Sequence, residues 1–155
     1  MPKTNAVRIL ESASIAHRLY EYDTSDGEVS GLAVAAKIGQ EPERVFKTLV
    51  TEGKTTGINV FVLPSDVELD LRKAAQAAGD KSIAMLKLRD LEPKTGYQHG
   101  GCSPIGMKRQ FPTFIDETAG LYDTIIISGG RIGLQVELTV DDLVAVTDAV
   151  LCDLW

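Results

Sequence analysis

With 155 residues, 44% hydrophobic and 25% charged, the chain is sized for one soluble domain, residues 1–155, whose core needs no staples. Its two cysteines, Cys102 and Cys152, lie far apart and outside any Cys-x-x-Cys pair, which argues against a disulfide framework and against a zinc site; no metal or cofactor is expected. A net charge of −6 argues against a protein that coats nucleic acid by itself, and the absence of a signal-like core or an apolar run of ~18 residues makes the cytoplasm the expected compartment, with no membrane partner.

In chain order, "TNAVRILESA" sets Ala6, Ile9, Leu10 and Ala13 on one helical face behind Thr4 as N-cap. "AHRLYEY" reads as a short strand, and "GEVSGLAVAAKIG" as a helix stopped by Gly39. "RVFKTLVTE" and "GINVFVLP" are β-branched and aromatic runs around "GKTTG", the pattern of a hairpin or of neighbouring strands. "DLRKAAQAAGD" is a short helix, "IAML" a strand, and "LRDLEP" a helical turn ending at Pro93. Beyond a glycine-rich loop, "FPTFID", "DTIIISGG" and "RIGLQVELT" read as strands, the last alternating through Ile132, Leu134, Val136 and Leu138. "TVDDLVAVTDAV" is a closing helix capped by Thr139, with Asp141 and Asp142 at its positive end. Strands without regular βαβ alternation predict an α+β fold with a mixed, barrel-like sheet flanked by helices.

Charge is unevenly spread. Residues 1–71 carry 7 bases and 11 acids, residues 72–109 carry 8 and 3, and residues 110–155 carry 1 and 8. The basic middle is either a solvated surface or a local phosphate-facing patch on an acidic body.

Two glycine loops stand out. "TGYQHGGCSPIG" (95–106) lacks both the phosphate-loop ending and the Gly-x-Gly-x-x-Gly spacing, yet its glycines bare backbone N–H groups and Pro104 stiffens the turn. "SGGRIGL" joins two predicted strands, where a glycine pair ordinarily makes a hairpin turn. From the residues alone, either loop can be a turn or a ligand site. Lys47, the lone charge in "VFKTLV", either faces water or projects into a pocket, with Phe46 and Thr48 on the opposite face. His17 reads as structural. His99 and Cys102 could serve as base and thiol nucleophile, without support from a triad order or a nucleophile elbow.

"VFKTL" (45–49), "TGYQHGGCSPIG" (95–106) and "SGGRIGLQVEL" (128–138), in that order and spacing, resemble the YbaK/EbsC family, and the likeness spans almost the whole chain. The resemblance implies hydrolysis of misacylated tRNA, Cys-tRNA(Pro) above all, and kinship with the editing domain of bacterial prolyl-tRNA synthetase. It implies Lys47, Gly100, Ser128 and Tyr20 as catalytic residues, and Gly101, Ser103, Pro104, Gln135 and His99 as shaping or contacting the substrate site. It also implies a mechanism in which the substrate's own thiol attacks its ester, and prolyl-tRNA synthetase as the partner supplying most tRNA contacts. This chain departs from the family pattern at Gln135, where an acid is common, and at His99 and Cys102, where apolar residues are common; these bear on amino-acid choice. Three alternatives stay open: a deacylase of Ala-tRNA(Pro), a non-catalytic module binding aminoacyl-tRNA or a nucleotide, and a Cys102/His99 thiol hydrolase.

Overall fold

The computed structural model describes residues 2–155. Along the chain run α1 (Asn5–Ser12), β1 (Arg18–Glu21), α2 (Gly31–Ile38), β2 (Phe46–Gly53), β3 (Gly57–Pro64), α3 (Leu71–Ala78), β4 (Ile83–Met85), α4 (Leu88–Thr95), β5 (Thr113–Asp116), β6 (Thr124–Ser128), β7 (Leu134–Thr139), α5 (Val140–Thr147) and β8 (Val150–Cys152).

Most boundaries follow from capping chemistry. Thr4, Ser30, Asp70 and Thr139 each accept a first-turn backbone N–H on a side-chain oxygen, and Gly39, Gly79 and Gly96 end helices in the left-handed conformation. Because Ser30 is the cap, α2 begins at Gly31 rather than at Gly27. Helix α4 runs through Pro93 to Thr95: Pro93 and Arg89 are exposed, so the missing donor falls where water can serve the freed carbonyl. Helix α5 stops at Thr147, where Asp148 turns left-handed, and the chain then pairs as β8, too short for a periodic pattern to reveal. Ile132 belongs to the turn before β7, not to the strand.

The strands form a three-stranded sheet, β1-β7-β6, and a five-stranded sheet, β4-β2-β3-β5-β8. Pairings β3–β5 and β5–β8 are parallel and the others antiparallel, so the sheet is mixed as the sequence predicts. The two sheets are linked by a parallel bridge between Val45 and Ile126, and the barrel stays open.

Strand β3 reads as an unbroken apolar run because both of its faces are covered. Val60 and Val62 join Phe46, Ile115, Ile125, Ile127 and Val136 in the main core, while Phe61 and Leu63 pack with Ala74 and Ala75 of α3 and with Leu154. Burying such side chains is worth about 1.5–3 kcal/mol each, which fixes the sheets against the helices.

A polar knot ties the smaller sheet to the segment ahead of β2. The Glu137 carboxylate accepts from Tyr20 Oη (2.5 Å), Thr124 Oγ1 (2.5 Å) and Arg44 (2.9 Å), and Arg44 also donates to Gln40 (2.9 Å). Burial by itself would raise the Glu137 pKa, but these donors outweigh it and hold the carboxyl below its ordinary value. A depressed carboxylate stabilises the fold above its unfolded pKa and loses that contribution as pH falls through the folded one. Glu137→Gln therefore costs about 1–3 kcal/mol at neutral pH. In urea titrations the gap between variant and parent should narrow once the solution is acid enough to protonate the parent's carboxyl; a constant gap at every pH contradicts the ionic reading.

Candidate active site

The site begins as a gap in hydrogen bonding. On one side β2 pairs with β3 along its whole length, from Phe46 opposite Pro64 to Gly53 opposite Gly57. On its other side β4 pairs only with Thr51–Gly53, and β6 reaches only Val45. Between them, residues 47–50 face no strand among the described residues. Val45 gives its carbonyl to Ser65 on the β3 side and Val50 gives its to Leu86 on the opposite side. The Val45–Ile126 bridge engages the Phe46 N–H with β6, so strand alternation leaves the Phe46 carbonyl and the Thr48 peptide groups turned into the gap.

A cavity of about 480 Å³ fills this gap, bordered by residues 45–50, the start of α2, the β4–α4 segment and both glycine loops. Among the described residues, Lys47 is the only lysine, arginine, aspartate or glutamate on its wall. Its ammonium donates to the Val67 carbonyl in the segment after β3. Burial lowers the Lys47 pKa, and the nearby carboxylates of Glu68 and Asp66 partly oppose that shift. The hydroxyls of Thr48 and Tyr22, both on wall residues, are buried without a hydrogen-bond partner. A buried hydroxyl without a partner costs free energy, which a ligand able to bond it would recover.

Across the smaller sheet, Tyr20 pairs with Gln135 and Gln135 with Ser128, so the three side chains stand in one row on one face. Ser128 and Gln135 border the cavity; Gln135 is only 6% exposed. Tyr20 stands one place beyond the wall, its hydroxyl turned to Glu137, and Tyr22 borders the cavity instead. The N-terminal tyrosine that touches the site is thus Tyr22, just past the end of β1. Ser30 and Gly31 bring the positive end of α2 to the wall.

The loop at 95–106 is a braced wall. Tyr97 Oη donates to the Ile105 carbonyl (2.6 Å), Ile105 N–H to Ser103 Oγ (3.2 Å) and Lys108 N–H to the Thr95 carbonyl (3.0 Å). His99 and Gly100 border the cavity, and Gly100 has φ +87°, a left-handed conformation natural to glycine. Gly101 lies behind them: a Cβ there would sit 2.7 Å from the Ile132 nitrogen, so only glycine lets the two glycine loops touch backbone to backbone. Ser103 and Pro104 are buried in the loop and do not reach the cavity. Ser128 Oγ accepts from the Gly130 N–H (3.2 Å).

Cys102 borders the cavity, and burial pushes its thiol up to about 12, far from a reactive thiolate at neutral pH. Cys102→Ala should therefore retain at least half of any ester-cleaving activity, measured as initial rate; abolished turnover would favour the thiol-hydrolase alternative. Among the described residues no group of three or more His, Cys, Asp and Glu side chains is arranged to hold a metal, and no helix is long and apolar enough to cross a membrane.

Residues 29–146 match the family model described as "Aminoacyl-tRNA editing domain". The chain is 48% identical over 146 residues to the Enterococcus faecalis protein named "Putative Cys-tRNA(Pro)/Cys-tRNA(Cys) deacylase EbsC", covering 94% of this chain and 89% of that one. A solved structure titled "Crystal structure of a putative trans-editing enzyme for prolyl tRNA synthetase" superposes with TM-score 0.86 at 25% identity, over 99% of this chain and 98% of the other. Another solved structure, 21% identical, superposes with TM-score 0.87 over 97% of this chain and 98% of the other, and shows the same α+β fold.

Proposed function

This chain belongs to the aminoacyl-tRNA editing domain family and is an aminoacyl-tRNA deacylase of misacylated tRNA, and we propose that it removes cysteine from Cys-tRNA(Pro) in the cytoplasm, in association with prolyl-tRNA synthetase. The support for a particular mechanism is a single observation. The cavity offers hydrogen-bond donors around one cation, while its one thiol is held neutral by burial. With no side-chain thiolate in the cavity among the described residues, the substrate's own thiol is the nucleophile in the mechanism we propose.

In this mechanism the cysteinyl sulfur attacks its own ester carbonyl. The new bond joins sulfur to the carbonyl carbon, the bond from that carbon to the 3′ oxygen of the terminal adenosine breaks, and the thiol proton passes to the departing oxygen. The products are a cysteine thiolactone and tRNA with a free 3′ hydroxyl; water then opens the thiolactone to cysteine. Lys47, with the edge N–H of Thr48 and the backbone at Gly100, stabilises the charge developing on the carbonyl oxygen. Ser128, Gln135, Tyr22 and Thr48 hold the aminoacyl group, and Tyr20 acts at one remove by fixing β1, which leads into Tyr22. His99 stands at the wall beside Gly100. Gly101, Ser103 and Pro104 keep the loop in shape.

The test is deacylation of Cys-tRNA(Pro), Cys-tRNA(Cys) and Pro-tRNA(Pro) by the purified chain, with and without prolyl-tRNA synthetase. The expected pattern is rapid loss of cysteine, spared Pro-tRNA(Pro), and preference for tRNA(Pro) only when the synthetase is added. An acidic body with limited tRNA affinity predicts that dependence. Binding without turnover would instead favour a non-catalytic module.

A further inference from the structure

The cavity has an apolar lip that the aminoacyl group does not need. Met85 ends the edge strand β4 and Leu88 opens α4; both border the cavity, and they are 49% and 65% exposed. Isolated exposed apolar residues are ordinary, but these two lie three residues apart on one rim. The segment bearing them is fixed. Leu86 N–H donates to the Val50 carbonyl (3.1 Å), and Leu86 and Leu91 pack inward against Val50, Tyr97 and Cys102. Met85 and Leu88 are therefore held outward by a clamped backbone.

Two cations adjoin Leu88 in sequence. Lys87 and Arg89 are exposed, and neither enters an ion pair among the described residues. The acids of the same helix, Asp90 and Glu92, come after them. An apolar surface wedged between free cations suits a flat aromatic group joined to phosphate.

Resting on the deacylase reading, we propose that Met85 and Leu88 seat the terminal adenine of the tRNA, its face against their side chains, while Lys87 and Arg89 receive the adjoining phosphate. An ester lodged in the gap beside Thr48 leaves its nucleoside at the cavity mouth, of which this lip is the apolar side. A thioether and an isobutyl group contact a purine face without regard to hydrogen-bond pattern, which suits an end shared by every tRNA.

The experiment compares two small substrates, the 3′ cysteinyl ester of adenosine 5′-monophosphate and cysteine methyl ester. The parent protein should favour the nucleotide ester. In the double variant Met85→Ser, Leu88→Ser that preference should shrink roughly tenfold, the loss falling on KM of the nucleotide ester. Both positions are exposed, so the variant should unfold at the parent's temperature, which is measured alongside. Equal losses on both esters, or an undiminished preference, overturn the proposal. No preference in a parent that still deacylates Cys-tRNA(Pro) overturns it too, and leaves the deacylase reading standing. Failure of the parent on Cys-tRNA(Pro) and both esters overturns the deacylase reading itself.

Discussion

Lys47→Ala slows deacylation of Cys-tRNA(Pro) about a hundredfold, the usual consequence of removing one preorganised donor from an oxyanion site. Among the described residues no other lysine or arginine borders the cavity, so no neighbour can take over its charge. The loss should fall on kcat more than on KM, because the carbonyl oxygen carries full charge only in the transition state. The alanine variant also leaves the Val67 carbonyl without its donor, so its unfolding is followed in parallel to separate a lost charge from a loosened loop. The same residue predicts a pH profile. Burial has lowered its pKa, so the ammonium is lost as pH rises through a value below the ordinary lysine range, and activity should fall there. Lys47→Arg, charged throughout, should lack that alkaline limb whatever its absolute rate. Near-parental turnover by a folded Lys47→Ala protein would remove the cation from the mechanism.

Exchanging the substrate's sulfur for oxygen should cost still more. On tRNA(Pro), the seryl ester is expected to react roughly a thousandfold more slowly than the cysteinyl ester, since a thiol is a few per cent ionised near pH 7 and intrinsically nucleophilic while a hydroxyl is neither. The alanyl ester, with no side-chain nucleophile, should be as slow. The magnitude decides between mechanisms. A pocket that merely measures size separates such close substrates by only about 10–200-fold. If Ala-tRNA(Pro) is cleaved within that range of Cys-tRNA(Pro), water is the attacking group and self-cleavage is wrong.

Much of this was legible in the residues. Helix caps at Thr4 and Thr139, the hairpin of β2 and β3 and the strand pair around the second glycine loop follow from local chemistry. Lys47, Gly100, Ser128, Gln135 and His99 border a common cavity. What escaped depends on long-range pairing. The gap that exposes the edge of β2 exists because β4 and β6 each stop short of its middle, and no local pattern states where a neighbouring strand will end. Thr48 sat in view beside Lys47, but only the gap makes its hydroxyl and peptide group part of the site. Tyr20 lies in β1 and Tyr22 just beyond it, and the Tyr20 hydroxyl is held by Glu137, 117 positions away in sequence. The strand β8 and the last turn of α4 were hidden for simpler reasons, brevity in one and an internal proline in the other.

The central claim is that the ester carbonyl lodges in the gap between β4 and β6. A crystal structure of the chain with an unreactive amide analogue, cysteine joined through nitrogen to the 3′ carbon of adenosine, tests it directly. The carbonyl oxygen should lie within hydrogen-bond distance of the Thr48 N–H, on the Lys47 side of the cavity, with the thiol toward Ser128 and Gln135. An analogue seated outside that gap, for instance in the second hollow lined by Gln98, Gly101 and Arg131, would contradict it.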